Sequence, residues 1–151
     1  MSYNVFKIRY TLAMSDLDMP GLRYYNVIFV ETQKDGSGIV HYVTGDITSG
    51  MVYATKQGRR PETSDTFYAK EFLGTIESVN YPAEIDRVLN AQPPPPKQKH
   101  FNIRTMRTEQ MKPDGSFYES GEPRPPMIEC TEWTEEQAIP ALYNSGILRR
   151  A

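Results

Sequence analysis

Two side chains of this sequence are of the types a thiol enzyme would use: Cys130, the one cysteine, and His41, one of two histidines. Cys130 lies in "IECTEWTEEQAIPALYNSGIL", residues 128–148, where a helix is expected to begin. Helix-terminal N–H groups and a neighbouring imidazole lower a thiol's pKa and expose the nucleophilic thiolate. The sequence neighbours Glu129, Glu132, Glu135 and Glu136 act in the opposite sense, because negative charge disfavours a second anion. The alternative role for Cys130 is that of a small apolar residue filling a gap. His41 is mid-strand in "IVHYV", on the face opposite Val40 and Tyr42, with Asp46 and Glu31 as candidate orienting acids.

Other chemistries lack their signatures. One cysteine cannot form an intramolecular disulfide, and with only His41 and His100 beside it no structural zinc site is expected. There is no Walker loop, dinucleotide fingerprint, G-x-S-x-G or H-E-x-x-H, so neither metal nor cofactor is expected.

The elements that must position these residues fall into two halves. In "NVFKIRYTLA" strict alternation puts Phe6, Ile8, Tyr10 and Leu12 on one face and Lys7, Arg9 and Thr11 on the other, the pattern of a half-buried strand. "DLDMPGL" is expected to be a turn or loop. "RYYNVIFVET" and "IVHYVTGD" form a hairpin about Asp35-Gly36. "MVYATK" adds a fourth strand, and residues 66 to 76 a fifth, with a break expected near Gly74. Phe6, Ile8, Tyr10, Val27, Phe29, Ile39 and Leu142 are expected in one apolar cluster.

The second half is richer in proline and helix. Pro82 suits the first turn of a short helix that presents Ile85, Val88 and Leu89 on one side. "PPPPKQK" ends it in an extended stretch. "FNIRTMRTEQMKPDGSFYESG" reads as two short strands about Pro113-Asp114-Gly115, or as a loop. In the closing helix Thr134 with Gln137, or else Thr131, is the expected cap, with Pro140 kinking or dividing the helix and Gly146 ending it. The fold class is α+β: one domain over residues 1–151, a largely antiparallel sheet of about five strands with helices packed on it.

Composition narrows the partners. A formal net charge of -2 supplies no field to gather nucleic acid, and the basic stretch "KQKHFNIRTMR" is short enough to be a solvated loop. No apolar run approaches the roughly 18 residues that span a bilayer. No signal peptide is read at the N-terminus, and an intracellular, cytoplasmic location is expected. "PPPP" could dock in an aromatic groove or serve as a rigid connector. The partner expected is a small molecule or a protein, and no oligomeric state is specified.

"YNVIFVETQKDGSGIVHYVTGD" resembles the "HWALYV…G…VIHL" segment of the circularly permuted papain-like proteins, which include the lecithin:retinol acyltransferase and phospholipid acyltransferase families and are related to NlpC-type peptidases. "ECTEWTEEQAIPAL" then corresponds to their cysteine at the start of a helix, and the C-x-E-W of Cys130–Trp133 is similar to that of a group of small fungal proteins. The resemblance implies a papain-like fold, with Cys130 at the nucleophile position and His41 matching the histidine of "VIHL". The general-base histidine falls on Tyr25, whose reference pKa of about 10 bars it from taking the thiol proton at neutral pH. What is implied is a degenerate domain that binds a small molecule or protein partner, as an auxiliary in a biosynthetic pathway. Tyr25, His41, Cys130 and Trp133 would converge in its cleft. The alternatives are an active thiol hydrolase or acyltransferase using Cys130 and His41, and an interaction protein that works through its prolines.

Overall fold

The computed structural model describes residues 1–12 and 24–150. The segment "DLDMPGL" lies outside the described residues. Five strands, β1 (Ser2–Thr11), β2 (Tyr24–Glu31), β3 (Gly38–Asp46), β4 (Gly50–Gly58) and β5 (Phe67–Glu77), form one antiparallel sheet in the order β4-β3-β2-β1-β5. A short helix α1 (Ala83–Asn90) follows, then a two-stranded ribbon of β6 (Lys99–Asn102) and β7 (Arg107–Gln110). The chain closes with α2 (Cys130–Glu132), a π-helical stretch (Trp133–Ala138) and α3 (Ile139–Asn144), which run on from one another. The class is α+β.

The sheet is buried on both faces, which corrects the expectation of a single apolar cluster. Ile8, Val27, Phe29 and Val40 form one cluster with Phe6 and Tyr10 packed beside them. Leu142 belongs to a second, on the helix side, with Val5, Ile28, Val30, Leu89 and Trp133, while Ile39 belongs to neither. The reason lies in the strand pattern. β2 carries apolar residues on successive positions from Val27 to Val30, so both sides of its pleat need cover. The helices cover one face. The other lies beneath the β4–β5 connection, which joins the two edge strands: Pro61 is buried there, Glu62 pairs with Lys70 at 3.3 Å, and Lys70 sits over the Phe6 ring.

Turn chemistry sets the register. Asp35 Oδ1 accepts the Ser37 N–H at 2.9 Å and the hydroxyl at 2.6 Å, closing the β2–β3 hairpin. Asp46, offered by sequence as an orienting acid for His41, instead accepts the Thr48 and Ser49 N–H groups at the β3–β4 turn. β5 is not broken at Gly74. It bulges there at φ +146°, and a Cβ would meet the Arg149 carbonyl oxygen at 2.0 Å. Arg149 and Thr75 exchange two backbone hydrogen bonds of 2.9 Å at this point, so the C-terminal tail covers part of the β5 edge.

Two further expectations are corrected. The ribbon turns at residues 103–106, not at Pro113-Asp114-Gly115, which closes only an isolated bridge between Met111 and Phe117. Neither Thr134 nor Thr131 caps the closing helix. It begins earlier, and Glu129 and Glu132 form the capping box, with the Glu129 N–H donating to Glu132 Oε1 at 2.7 Å. The π-helical stretch precedes Pro140, which has no N–H to donate. There the Ile139 N–H bonds five residues back, to the Thr134 carbonyl. The helix thus widens before the proline instead of breaking.

Candidate functional site

Cys130 opens the closing helix because the N-cap, Glu129, is the residue before it. Its Sγ lies 3.9 Å from the Tyr24 carbonyl oxygen at the start of β2. Thr131, next along, donates to that same carbonyl at 3.3 Å and accepts from Asn26 Nδ2 at 2.8 Å, which fixes the helix start on the strand. A cavity of about 180 Å³ opens here, walled by Leu12, Tyr24, Tyr25, Met51, Cys130 and Thr131. The β2–β3 ladder ends at Ile28 opposite His41, and beyond it the Tyr25 hydroxyl donates to the Val43 carbonyl at 3.4 Å. Burial, with smaller contributions from Cys130, Tyr42 and Tyr10, pushes the Tyr25 phenol well above the ordinary tyrosine range. It stays protonated at neutral pH and cannot serve Cys130 as a base.

His41 is placed elsewhere. It is fully buried on the helix face of β3, with Nδ1 2.6 Å from the Tyr53 hydroxyl and Nε2 2.7 Å from the Tyr81 hydroxyl. Tyr53 in turn donates to Asp86 Oδ1 at 2.7 Å, so its oxygen accepts from His41. This assigns the neutral tautomer: Nδ1 carries the proton and Nε2 accepts from Tyr81. Burial drives the His41 pKa down to about 4, with Asp86 opposing the shift only in part. Tyr53 and Tyr81 are raised, mainly by burial. Trp133 packs on Tyr53, with ring centroids 6.0 Å apart, and its indole N–H points to the Gln92 carbonyl at 3.4 Å.

The four residues expected in one cleft therefore form two groups. Tyr25 and Cys130 meet at the small cavity; His41 and Trp133 meet through Tyr53. Both His41 ring nitrogens are engaged by tyrosines, and His41 does not line the Cys130 cavity. The sequence offers Tyr53 only as one of several tyrosines that could line a pocket, and it does not pair His41 with Tyr53, Tyr81 or Asp86. Alternation did place His41 on the face opposite Tyr42, but the acid that completes the network comes from α1, far away in sequence. The one available signal was an aspartate within the apolar-faced helix that follows Tyr81-Pro82.

The tetraproline packs along this chain's own sheet: Pro95 is buried and its carbonyl accepts the Met51 N–H at 2.8 Å. Among the described residues no group of three or more His, Cys, Asp or Glu is arranged to hold a metal ion, and no helix is long and apolar enough to cross a membrane.

Fold and site together define an α+β protein with a cysteine-bearing helix start seated on the second strand and a separate buried His–Tyr–Asp network. Residues 12–149 match DUF6540, a family of unknown function, and the chain belongs to that family. No curated protein and no solved structure matches it.

Proposed function

We propose that this chain is a non-catalytic binding module, a degenerate papain-like domain whose nucleophile position has become part of a binding cavity. The observation that carries this reading is the meeting of Cys130 with Tyr25, the residue standing where the resemblance places a general base. The Tyr25 phenol is protonated and already donates to a main-chain carbonyl, so it does not act as the base that would ionise the thiol. The cavity, about 180 Å³, is well below the roughly 300 Å³ at which drug-sized pockets begin. It suits a small, mostly apolar group: one end of a small molecule, or a side chain of a protein partner. A role as an auxiliary in a biosynthetic pathway is consistent with binding without turnover.

The test pairs binding with catalysis. Titration with phenol and indole as probes, followed by backbone amide chemical shifts, is expected to move Tyr25, Met51 and Thr131 first. Tyr25→Ala should weaken the fit by about 1–3 kcal/mol. With p-nitrophenyl acetate, wild type and Cys130→Ala should release p-nitrophenolate at equal rates. A burst that requires Cys130 would overturn the reading in favour of an active thiol hydrolase or acyltransferase.

A further inference from the structure

The β6–β7 ribbon ends in a turn built the reverse of an ordinary surface loop. Its uncharged polar side chains are tied within the turn: Asn102 Nδ2 and Thr105 Oγ1 both donate to Glu109 Oε2 at 2.8 Å, and Asn102 Oδ1 accepts the Arg104 N–H at 3.0 Å. Its apolar side chains are left outside, Ile103 at 78% exposure and Met106 at 71%. Met106 holds φ +58°, a left-handed conformation that glycine or asparagine adopts more easily. A strained, large apolar residue is thus kept at the tip of a hydrogen-bonded turn. Arg104 and Arg107 alternate with these two side chains, are exposed, and enter no ion pair among the described residues. These hydrogen bonds occupy Glu109, the acid nearest the tip in sequence.

We propose that this tip is a contact for anionic lipid surfaces. Ile103 and Met106 enter the boundary between headgroups and acyl chains, and Arg104 and Arg107 meet lipid phosphates while their stems lie along the apolar layer. Charge complementarity selects the anionic surface: two unpaired guanidinium groups flank the apolar pair on a chain whose formal net charge is -2. Shape selects lipid over a protein partner. A stable protein interface buries about 800 Å² on each side, whereas a projecting four-residue turn offers a few side chains, enough for a shallow and reversible lipid contact. The inference does not rest on the Cys130 cavity, and its test leaves that reading untouched.

Co-sedimentation of the full chain with vesicles decides it. Wild type is expected to pellet with phosphatidylcholine vesicles containing about 30 mol% phosphatidylserine and to remain in solution with pure phosphatidylcholine. Ile103→Ser with Met106→Ser should lower partitioning about tenfold, as should Arg104→Gln with Arg107→Gln or salt raised to about 0.5 M. These side chains are exposed, so the melting temperature should not change. As a second readout, Ile103→Trp should shift its emission to the blue on anionic vesicles, against the constant background of buried Trp133. Failure of wild type to sediment with either vesicle, or equal sedimentation by the Ile103→Ser/Met106→Ser variant, overturns the proposal. Self-association that the same variant abolishes, without vesicle binding, also overturns it and assigns the tip to a contact between copies.

Discussion

At the residue scale, the His41 network gives the protein a pH dependence whose sign is fixed. The folded-state pKa is lowered from 6.5 to about 4, so the unfolded chain binds the extra proton between these values. Stability from neutral His41 is complete above about pH 6.5 and falls as pH drops toward 4, by at most about 3 kcal/mol. Urea midpoints at pH 7 and pH 4.5 should show this loss. A flat profile would mean that His41 is not held neutral. Side chains with partners and without them should also differ. Tyr53→Phe leaves the His41 Nδ1–H without its acceptor and should cost about 1–3 kcal/mol. Thr134 Oγ1 is buried and makes no hydrogen bond, so Thr134→Val should be neutral or raise stability by about 1 kcal/mol. In thermal melts Tyr53→Phe should lower the melting temperature and Thr134→Val should not. His41 was legible in the sequence as a sheet residue, because alternation fixes its face. Its partners were not, because a hydrogen bond between β3 and α1 leaves no trace in local spacing.

At the element scale, legibility followed the strength of local signals. β1 to β5 were readable because alternation and Asp-Gly or Gly-containing turns act within a few residues of one another. The ribbon turn was misplaced because Pro113-Asp114-Gly115 has the stronger turn composition, while the actual turn at residues 103–106 depends on the Glu109 side chain reaching back to Asn102 and Thr105. The cap was misplaced because glutamate is a less familiar N-cap than threonine, and here two glutamates cap each other's turn. Gly74 was read as a possible break, and it is the docking point of the tail. Gly74→Ala should therefore do more than strain one residue. The added Cβ collides with the Arg149 carbonyl, which should release the tail from the β5 edge and cost more than about 2 kcal/mol. Amide exchange at Arg149 and Thr75 should quicken along with the fall in melting temperature. If exchange at Arg149 is unchanged, the tail does not depend on that glycine.

At the scale of the whole molecule, the helical layer is held to the sheet by an apolar core, by the Thr131 and Asp86 hydrogen bonds and by an ion-pair cluster. Trp133, Ala138 and Leu142 are buried against Ile28, Val30 and Val43. Lys7, itself buried in β1, donates to Glu135 at 2.9 Å, and Arg9 reaches the same oxygen at 3.1 Å. Burial works to raise the Glu135 carboxyl, but the hydrogen bond from Lys7, with the charges of Lys7 and Arg9, outweighs it and holds the group below the usual range. In the sequence Lys7 read as one of the polar residues on the face of β1 opposite Phe6, Ile8 and Tyr10. Which face the helices would cover could not be read, because both faces of β2 are apolar and the choice is made by contacts more than a hundred positions apart. The pairing predicts an asymmetry. Glu135→Ala leaves Lys7 buried with only the longer Glu71 contact of 3.4 Å, and should cost about 1–2 kcal/mol after allowance for solvent screening of the partly exposed carboxylate. Lys7→Met removes the buried charge and keeps the packing, while Glu135 retains Arg9, so the cost should be near zero. Urea denaturation at pH 7 measures both. Equal losses would mean that the ion pair itself, and not the desolvated lysine, sets the energetics of attaching the helix to the sheet.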